Sequence, residues 1–320
     1  MGKIIEIDKR ISLIDGNDLN RKLRTGTYLL RERDITIVET SASPSIPYLL
    51  DGLSQLGISP EEIKYIILTH IHLDHAGGAG LLLDKCPNAS VIVHKKGARH
   101  LEDPSRLIAG AKAVYGDDFD TLFDPIIPIP PERIIIKEHR ETLSISETSI
   151  LTFFDTPGHA NHHLSIYDQV SNGMFSGDTV GIYYRELDPD DIEFYLPTTS
   201  PNQFNPGAML AAADLYEDLG IDKIYFGHFG ASSNPGQVYR DLKYWLPIFL
   251  ETAADAHAAN GAFEDKLSSL SEGLYDRVRD FLRQKGIADS HPVYEILALD
   301  LRVCSMGLLD YLLKQEQLQS

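Results

Sequence analysis

The sequence predicts an α/β domain of mixed strand and helix character, followed by a helical C-terminal extension. Three observations carry that expectation. Short apolar runs rich in Ile, Val and Phe recur along the first 230 or so residues, separated by helix and turn signals. Three of these runs end in glycine followed by a potential metal ligand: Gly158-His159, Gly177-Asp178 and Gly227-His228. From Gln237 onward the strand signals stop, and only helical periodicity remains. The expected division is therefore a catalytic domain over 1–232 and a helical extension over 233–320.

Taken in order, Lys3 to Leu13 alternates imperfectly and reads as one or two short strands around Asp8-Lys9. Thr27 to Leu30 and Ile35 to Glu39 are β-rich and joined by the charged turn Arg31-Glu32-Arg33-Asp34, a hairpin signal. Pro47 to Leu56 reads as a helix stopped at Gly57, and Ser59-Pro60-Glu61-Glu62 as a helix start. The apolar run Ile63 to Leu68 predicts a buried strand, and Ala76 to Lys85 a helix. Ser90 to Val93 is a strand delivering His94. Gly97 to Tyr115 is helical with a break near Pro104, and the proline-rich stretch Phe123 to Pro131 is irregular. Strands follow at 134–136, 141–145, 149–154, 164–167 and 173–176. A helix over 205–219 stops at Gly220, and Lys223 to Phe226 is the last strand. The terminal helices are expected near 237–258, 262–285 and 291–317. Their apolar stripe, exemplified by Leu267, Leu270, Leu274, Val278 and Phe281, indicates core packing.

Between the strand at 63–68 and the helix after it lies Thr69-His70-Ile71-His72-Leu73-Asp74-His75-Ala76-Gly77-Gly78. Strand-to-helix loops commonly present functional groups, and neutral imidazole with carboxylate suits zinc, iron or manganese. Glycine before His159, Asp178 and His228 lets the backbone turn sharply and approach an ion closely. His162 and His163 follow His159 closely and are candidates for orienting a ligand, though a structural role is the plainer expectation. No ligand role is read for His94, His100, His139, His257 or His291.

His70-x-His72-x-Asp74-His75, Thr156-Pro157-Gly158-His159, Ser176-Gly177-Asp178 and Gly227-His228 together resemble the metallo-β-lactamase superfamily, in its dinuclear hydrolase branch. The resemblance implies a four-layer αβ/βα sandwich holding two divalent metal ions, zinc foremost, with iron and manganese as alternatives. It assigns His70, His72 and His159 to one ion, Asp74, His75 and His228 to the other, and Asp178 to both. Asp74 and Asp178 would be the catalytic carboxylates around a bridging hydroxide. A metal lowers the pKa of water toward roughly 7 and polarises a carbonyl or phosphoryl oxygen, so no side-chain nucleophile is required.

True β-lactamases of this superfamily usually lack the bridging aspartate, which turns the expectation away from antibiotics. The glyoxalase II-like and lactonase-like pattern is nearest, implying a small ester, thioester or lactone substrate. The stretch after Asp178, Thr179-Val180-Gly181-Ile182-Tyr183-Tyr184, lacks the Gly-Cys-Gly-Arg-like run of glyoxalase II, which counts against a glutathione thioester. Tyr183, Tyr184 and Phe229 are the expected substrate contacts. The alternatives are a phosphodiesterase, or an iron-dependent oxidoreductase of the persulfide dioxygenase type. The terminal helices are expected either to roof the substrate pocket or to form a homodimer interface.

Composition narrows the partners. The chain is 43% hydrophobic and 24% charged, with a formal charge of −18. That field opposes binding to nucleic-acid backbones but tolerates a small anion, because distant charges are screened beyond about 8 Å. No apolar run approaches the roughly 20 residues of a membrane span. Met1-Gly2 resembles a myristoylation start, but Glu6 stands where Ser or Thr is needed. Two cysteines, Cys86 and Cys304, do not make a disulfide framework. The expected location is the cytoplasm.

Overall fold

The computed structural model describes residues 3–319; the Met1-Gly2 pair lies outside them. Two compact units are distinguished. Unit 1 comprises the chain up to Thr156 with His162–Gly177 and Leu219–Pro235; unit 2 comprises Pro157–Asn161, Asp178–Asp218 and the chain from Gly236.

Unit 1 contains two mixed sheets. The first runs in chain order: β1 (Ile4–Glu6), β2 (Ile11–Asp15), β3 (Gly26–Leu30), β4 (Ile35–Val38), β5 (Ile63–Ile67), β6 (Ser90–His94) and β7 (Ile134–Lys137). Pairing is antiparallel from β1 to β4 and parallel from β4 to β7. Burial on both faces explains why β5 and β6 are nearly continuous apolar runs. The later strands are β8 (Thr142–Ser144), β9 (Ile150–Asp155), β10 (Leu164–Asp168), β11 (Gly173–Gly177), β12 (Ile182–Tyr183), β13 (Tyr195–Leu196), β14 (Lys223–Phe226) and β15 (Gly230–Ser232). Six of them form the second sheet in the order β15-β14-β11-β10-β9-β8, whereas β12 and β13 pair only with each other, in unit 2.

The two large sheets face each other across a core that includes Ile11, Tyr28, Ile67, Phe153, Phe175 and Tyr225. The other face of the first sheet is covered by helices. Leu49 and Leu53 of α1 (Ile46–Gln55), Ala76 of α2 (Leu73–Ala76) and Leu82 of α3 (Ala79–Leu83) pack there against Leu29, Ile37 and Ile66. The helix expected from Ala76 to Lys85 is thus two short helices parted by Gly77-Gly78. The start signal at Ser59 yields a single 3-10 turn, Pro60–Glu62, because the strand begins immediately after it. The helical stretch broken near Pro104 resolves into α4 (Lys95–Glu102) and α5 (Ser105–Tyr115), followed by α6 (Phe119–Phe123).

Gly110 lies inside α5 on an exposed surface, and a Cβ there would meet nothing within 4 Å. Gly110→Ala should therefore raise stability by about 0.5–1 kcal/mol through helix propensity alone. A urea midpoint unchanged or lowered would contradict this.

Unit 2 gathers most of α7 (Pro206–Leu219) with three long terminal helices, α8 (Pro235–Ala258), α9 (Phe263–Gln284) and α10 (Val293–Gln319). Helix α9 buries Leu267, Leu270, Leu274, Val278 and Leu282, the predicted stripe with Leu282 in the place given to Phe281. Phe281 is half-buried and stacks on Phe194 at 5.7 Å between ring centroids. Leu297, Leu301, Cys304 and Leu308 are the matching buried positions of α10, which packs on α9. Among the described residues, no helix is long and apolar enough to cross a membrane.

Candidate metal centre

Five of the seven expected ligands belong to unit 1. Strand β5 ends at Ile67, and the Leu68 amide still donates to the Ile92 carbonyl. The chain then leaves the sheet through Thr69 to His72. His72 caps α2 in an extended conformation, and the single turn that follows carries Asp74 and His75. The strand-forming run Ile63–Leu68 is spent by this point, and the weak helix formers Gly77-Gly78 lie between α2 and α3. His70 and His72 hold their rings 4.6 Å apart, and His70 and His75 theirs 4.1 Å apart.

His228 arrives from the end of β14. Its Nε2 lies 3.3 Å from His75 Nε2 and 3.3 Å from Asp74 Oδ2, and the His75 Nε2–Asp74 Oδ2 separation is 3.6 Å. Ligands about 2.0–2.1 Å from a tetrahedral ion stand roughly 3.3 Å from one another, the edge of that tetrahedron. The three side chains therefore fit a common cation, and two imidazoles with one carboxylate are apt donors for zinc or iron. Asp74 is the open member: its side chain is 25% exposed, against 1% and 5% for His75 and His228.

Gly177 explains how the strand ends come together in unit 1. Its φ is +46°, and a Cβ there would stand 2.5 Å from Thr69 Oγ1 and 2.4 Å from His163 Nε2. No side chain fits where β11 passes the residue preceding His70. Gly227 closes the other side, its amide donating to the Gly177 carbonyl at 3.3 Å.

Unit 2 holds the remaining two, His159 and Asp178. His159 Nε2 lies 3.6 Å from Asp178 Oδ2, and both side chains are buried. His159 Nδ1 is 3.2 Å from the Thr198 carbonyl, which assigns the proton to Nδ1 and leaves Nε2 as a ligand atom. The Ser200 hydroxyl donates to the His159 carbonyl at 2.8 Å.

His162 and His163 are structural braces of unit 1. His162 Nδ1 accepts the Ile71 amide, and His163 Nδ1 is 3.0 Å from Thr156 Oγ1. The His163 ring stacks 5.2 Å from that of His70. Of the expected substrate contacts, Tyr183 donates to Asp188 and Tyr184 to Asp300, both within unit 2. Burial and the Asp188 contact push the Tyr183 phenol well above its ordinary range. Phe229 is fully buried in the core between the sheets of unit 1, so its visible role is packing.

Two residues of unit 1 escape the sequence reading. Glu39, at positive φ (+66°) just after β4, is buried. Its Oε1 accepts the Thr69 amide at 3.2 Å, and its Oε2 lies 3.5 Å from His75 Nδ1. The Thr40 amide and hydroxyl both donate to the His75 carbonyl. Glu39 thus faces His75 Nδ1, where a carboxylate would orient the ring and strengthen Nε2 as a metal ligand. Glu39→Gln should weaken metal binding by roughly 10- to 100-fold with the fold retained; a metal titration matching the wild type would refute that role. Asp18, the second, sits on the loop between β2 and β3. Burial pushes its carboxyl up to about 6, against the opposing pull of Arg24, with the nearby Asp74 charge pushing the same way. That loop is held by Asp15, whose carboxylate accepts the Asn17 and Leu23 amides.

Residues 23–228 match the model of the metallo-beta-lactamase superfamily. The chain is 23% identical over 214 residues to the uncharacterised protein YobT of Bacillus subtilis, covering 67% of this chain and 86% of that one. It is 28% identical over 123 residues to the N-acyl homoserine lactonase AttM of Rhizobium radiobacter, spanning 38% of this chain and 42% of AttM. Diflavin flavoprotein A 1 of Synechocystis is 24% identical over 281 residues, 81% of this chain and 44% of its own length. Among solved structures, the metallo-beta-lactamase family protein TTHA1429 of Thermus thermophilus superposes with a TM-score of 0.68 at 20% identity, covering 97% of this chain and 95% of that one. The mixed sheets, the helical C-terminal region and the matched model agree: the chain belongs to the metallo-beta-lactamase superfamily.

Proposed function

We propose that this protein is a dinuclear metal-dependent hydrolase of a small ester, thioester or lactone. The observation that carries the reading is the convergence of Asp74, His75 and His228 at the separations a tetrahedral ion requires. In this reading His70, His72 and His159 hold one ion, Asp74, His75 and His228 the other, and Asp178 serves both. Bound metals would supply Lewis acidity and a water acidified enough to attack at neutral pH.

The chain's own residues have defined tasks. Glu39 and the Thr198 carbonyl face Nδ1 of His75 and His159, so Nε2 of each would be the atom that holds an ion. Asp74, the partly open carboxylate, is the group available to take the proton of the attacking water, at the oxygen that Oδ2, turned to His75 and His228, leaves uncommitted. Attack forms the new acyl–oxygen bond, the bond to the alcohol or thiol breaks, and that leaving group takes up the proton. The lactonase AttM supports the carboxylic-ester preference, and a charge of −18 supports a small substrate over nucleic acid.

The test is turnover of a lactone, a thioester, a simple ester and bis-p-nitrophenyl phosphate by metal-stripped and metal-restored protein. Metal-dependent hydrolysis of the acyl substrates is the expected result. Turnover of the phosphodiester alone, or none, would overturn it. A second reading is an oxidoreductase using iron, which imidazole and carboxylate donors suit as well as they suit zinc. Purified protein carrying iron, with oxygen consumption and no hydrolysis, would support that one.

A further inference from the structure

One face of α10 is committed to a single loop of unit 2, the segment 197–202. The residues concerned are Cys304, Gly307, Asp310 and Lys314, spaced three or four apart and therefore on one side of the helix. Thr199 Oγ1 donates to the Cys304 carbonyl at 2.6 Å. The Asn202 amide donates to Asp310 Oδ2 at 2.9 Å, and Lys314 Nζ donates to the Asn202 carbonyl at 2.8 Å. At Gly307 the two backbones meet. A Cβ there would stand 2.6 Å from Thr199 Oγ1 and 2.8 and 2.9 Å from backbone atoms of Ser200. Glycine inside a helix costs about 1 kcal/mol relative to alanine. Here it is required by the approach of the loop.

The same loop holds His159. The Thr198 carbonyl faces His159 Nδ1 at 3.2 Å, and the Ser200 hydroxyl binds the His159 carbonyl at 2.8 Å. Thr199, between them, is the residue tied to α10. The ring and the backbone of His159 are thus both fixed by residues flanking the helix contact.

We propose that α10 is the positioning element for His159, acting where its Gly307 meets Thr199 of the loop. The proposal rests on the assignment of His159 as a metal ligand. It adds that the C-terminal helix, beyond the matched family segment that ends at residue 228, sets the affinity of one ion.

Cobalt(II) titration of the full-length metal-free protein, followed by visible absorption, tests this. Thr199→Val and Gly307→Ala should each weaken one of two cobalt equivalents by roughly 10- to 100-fold and leave the other unchanged. Thr199→Ser, which keeps the hydroxyl, should titrate as the wild type. Normal binding of both equivalents by Thr199→Val overturns the proposal, and that variant decides alone if Gly307→Ala does not fold. His159→Ala separates the two levels of inference. If it loses one equivalent while Thr199→Val loses none, only the role of α10 is wrong. If His159→Ala keeps both, the ligand assignment fails and the proposal fails with it.

Discussion

Asp178→Asn should lose at least one of two metal equivalents and lower turnover by at least 100-fold, with the fold unchanged. Asparagine has nearly the same shape, so the buried position remains filled. What disappears is one negative charge, at a side chain only 3% exposed and 3.6 Å from His159 Nε2. Unit charges about 4 Å apart interact by roughly 4 kcal/mol at an effective dielectric constant near 20. In the proposed centre Asp178 would serve two cations, with that attraction at each of them, and would also offset their mutual repulsion. A loss of that size exceeds two decades in affinity, since about 1.4 kcal/mol is tenfold. Metal content after dialysis, measured by mass spectrometry alongside kcat, gives the answer. Retention of both ions with kcat within threefold of wild type would remove Asp178 from the centre.

The candidate ligands stand out in the sequence because their chemistry is written locally. Four potential ligands fall between His70 and His75, and glycine precedes His159, Asp178 and His228. The terminal helices were legible for a similar reason: apolar periodicity is a short-range signal, and α9 buries nearly the stripe it announces. Glu39 was not legible. After the strand Ile35–Val38 it reads as the polar residue that ends a strand. It is buried only because β4 and β5 lie parallel, and their pairing brings Thr69 and His75 alongside it.

Asp18 is hidden in the same way, by a loop whose non-glycine residues Asn17, Leu19, Asn20 and Leu23 adopt positive φ. The two asparagines tolerate that conformation and the two leucines do not favour it; Asp15 ties the loop together through the Asn17 and Leu23 amides. The working face of α10 offers Cys, Gly, Asp and Lys, an unremarkable mixture. Its meaning depends on a loop a hundred residues earlier. Long-range pairing, and not residue type, decided each of these.

The largest stability effect is expected from Asp168→Ala. Asp168 is the last residue of β10, in the second sheet, and its side chain is completely buried. Arg10, in the turn between β1 and β2 of the first sheet, grips it with two parallel bonds: Nη1 to Oδ2 at 2.8 Å and Nη2 to Oδ1 at 2.6 Å. The Ser171 amide donates to the same carboxylate at 3.1 Å. Arg10 Nε also meets Glu32 at 2.6 Å, so the guanidinium keeps one partner when Asp168 is removed. Even so, breaking a buried ion pair from one side leaves a charge without its principal counterion, which costs about 3–5 kcal/mol. Against a total stability of about 5–15 kcal/mol, that is a large fraction, and Tm should fall by on the order of 10 °C. The pair itself need not be strongly favourable, because desolvation offsets much of the attraction. The double variant Arg10→Met, Asp168→Leu should therefore recover part of the loss, limited by Glu32 and the Ser171 amide, which then lose these partners; a double-mutant cycle in urea would measure it. A single Asp168→Ala variant within about 1 kcal/mol of wild type would show that the two sheets do not depend on this bond.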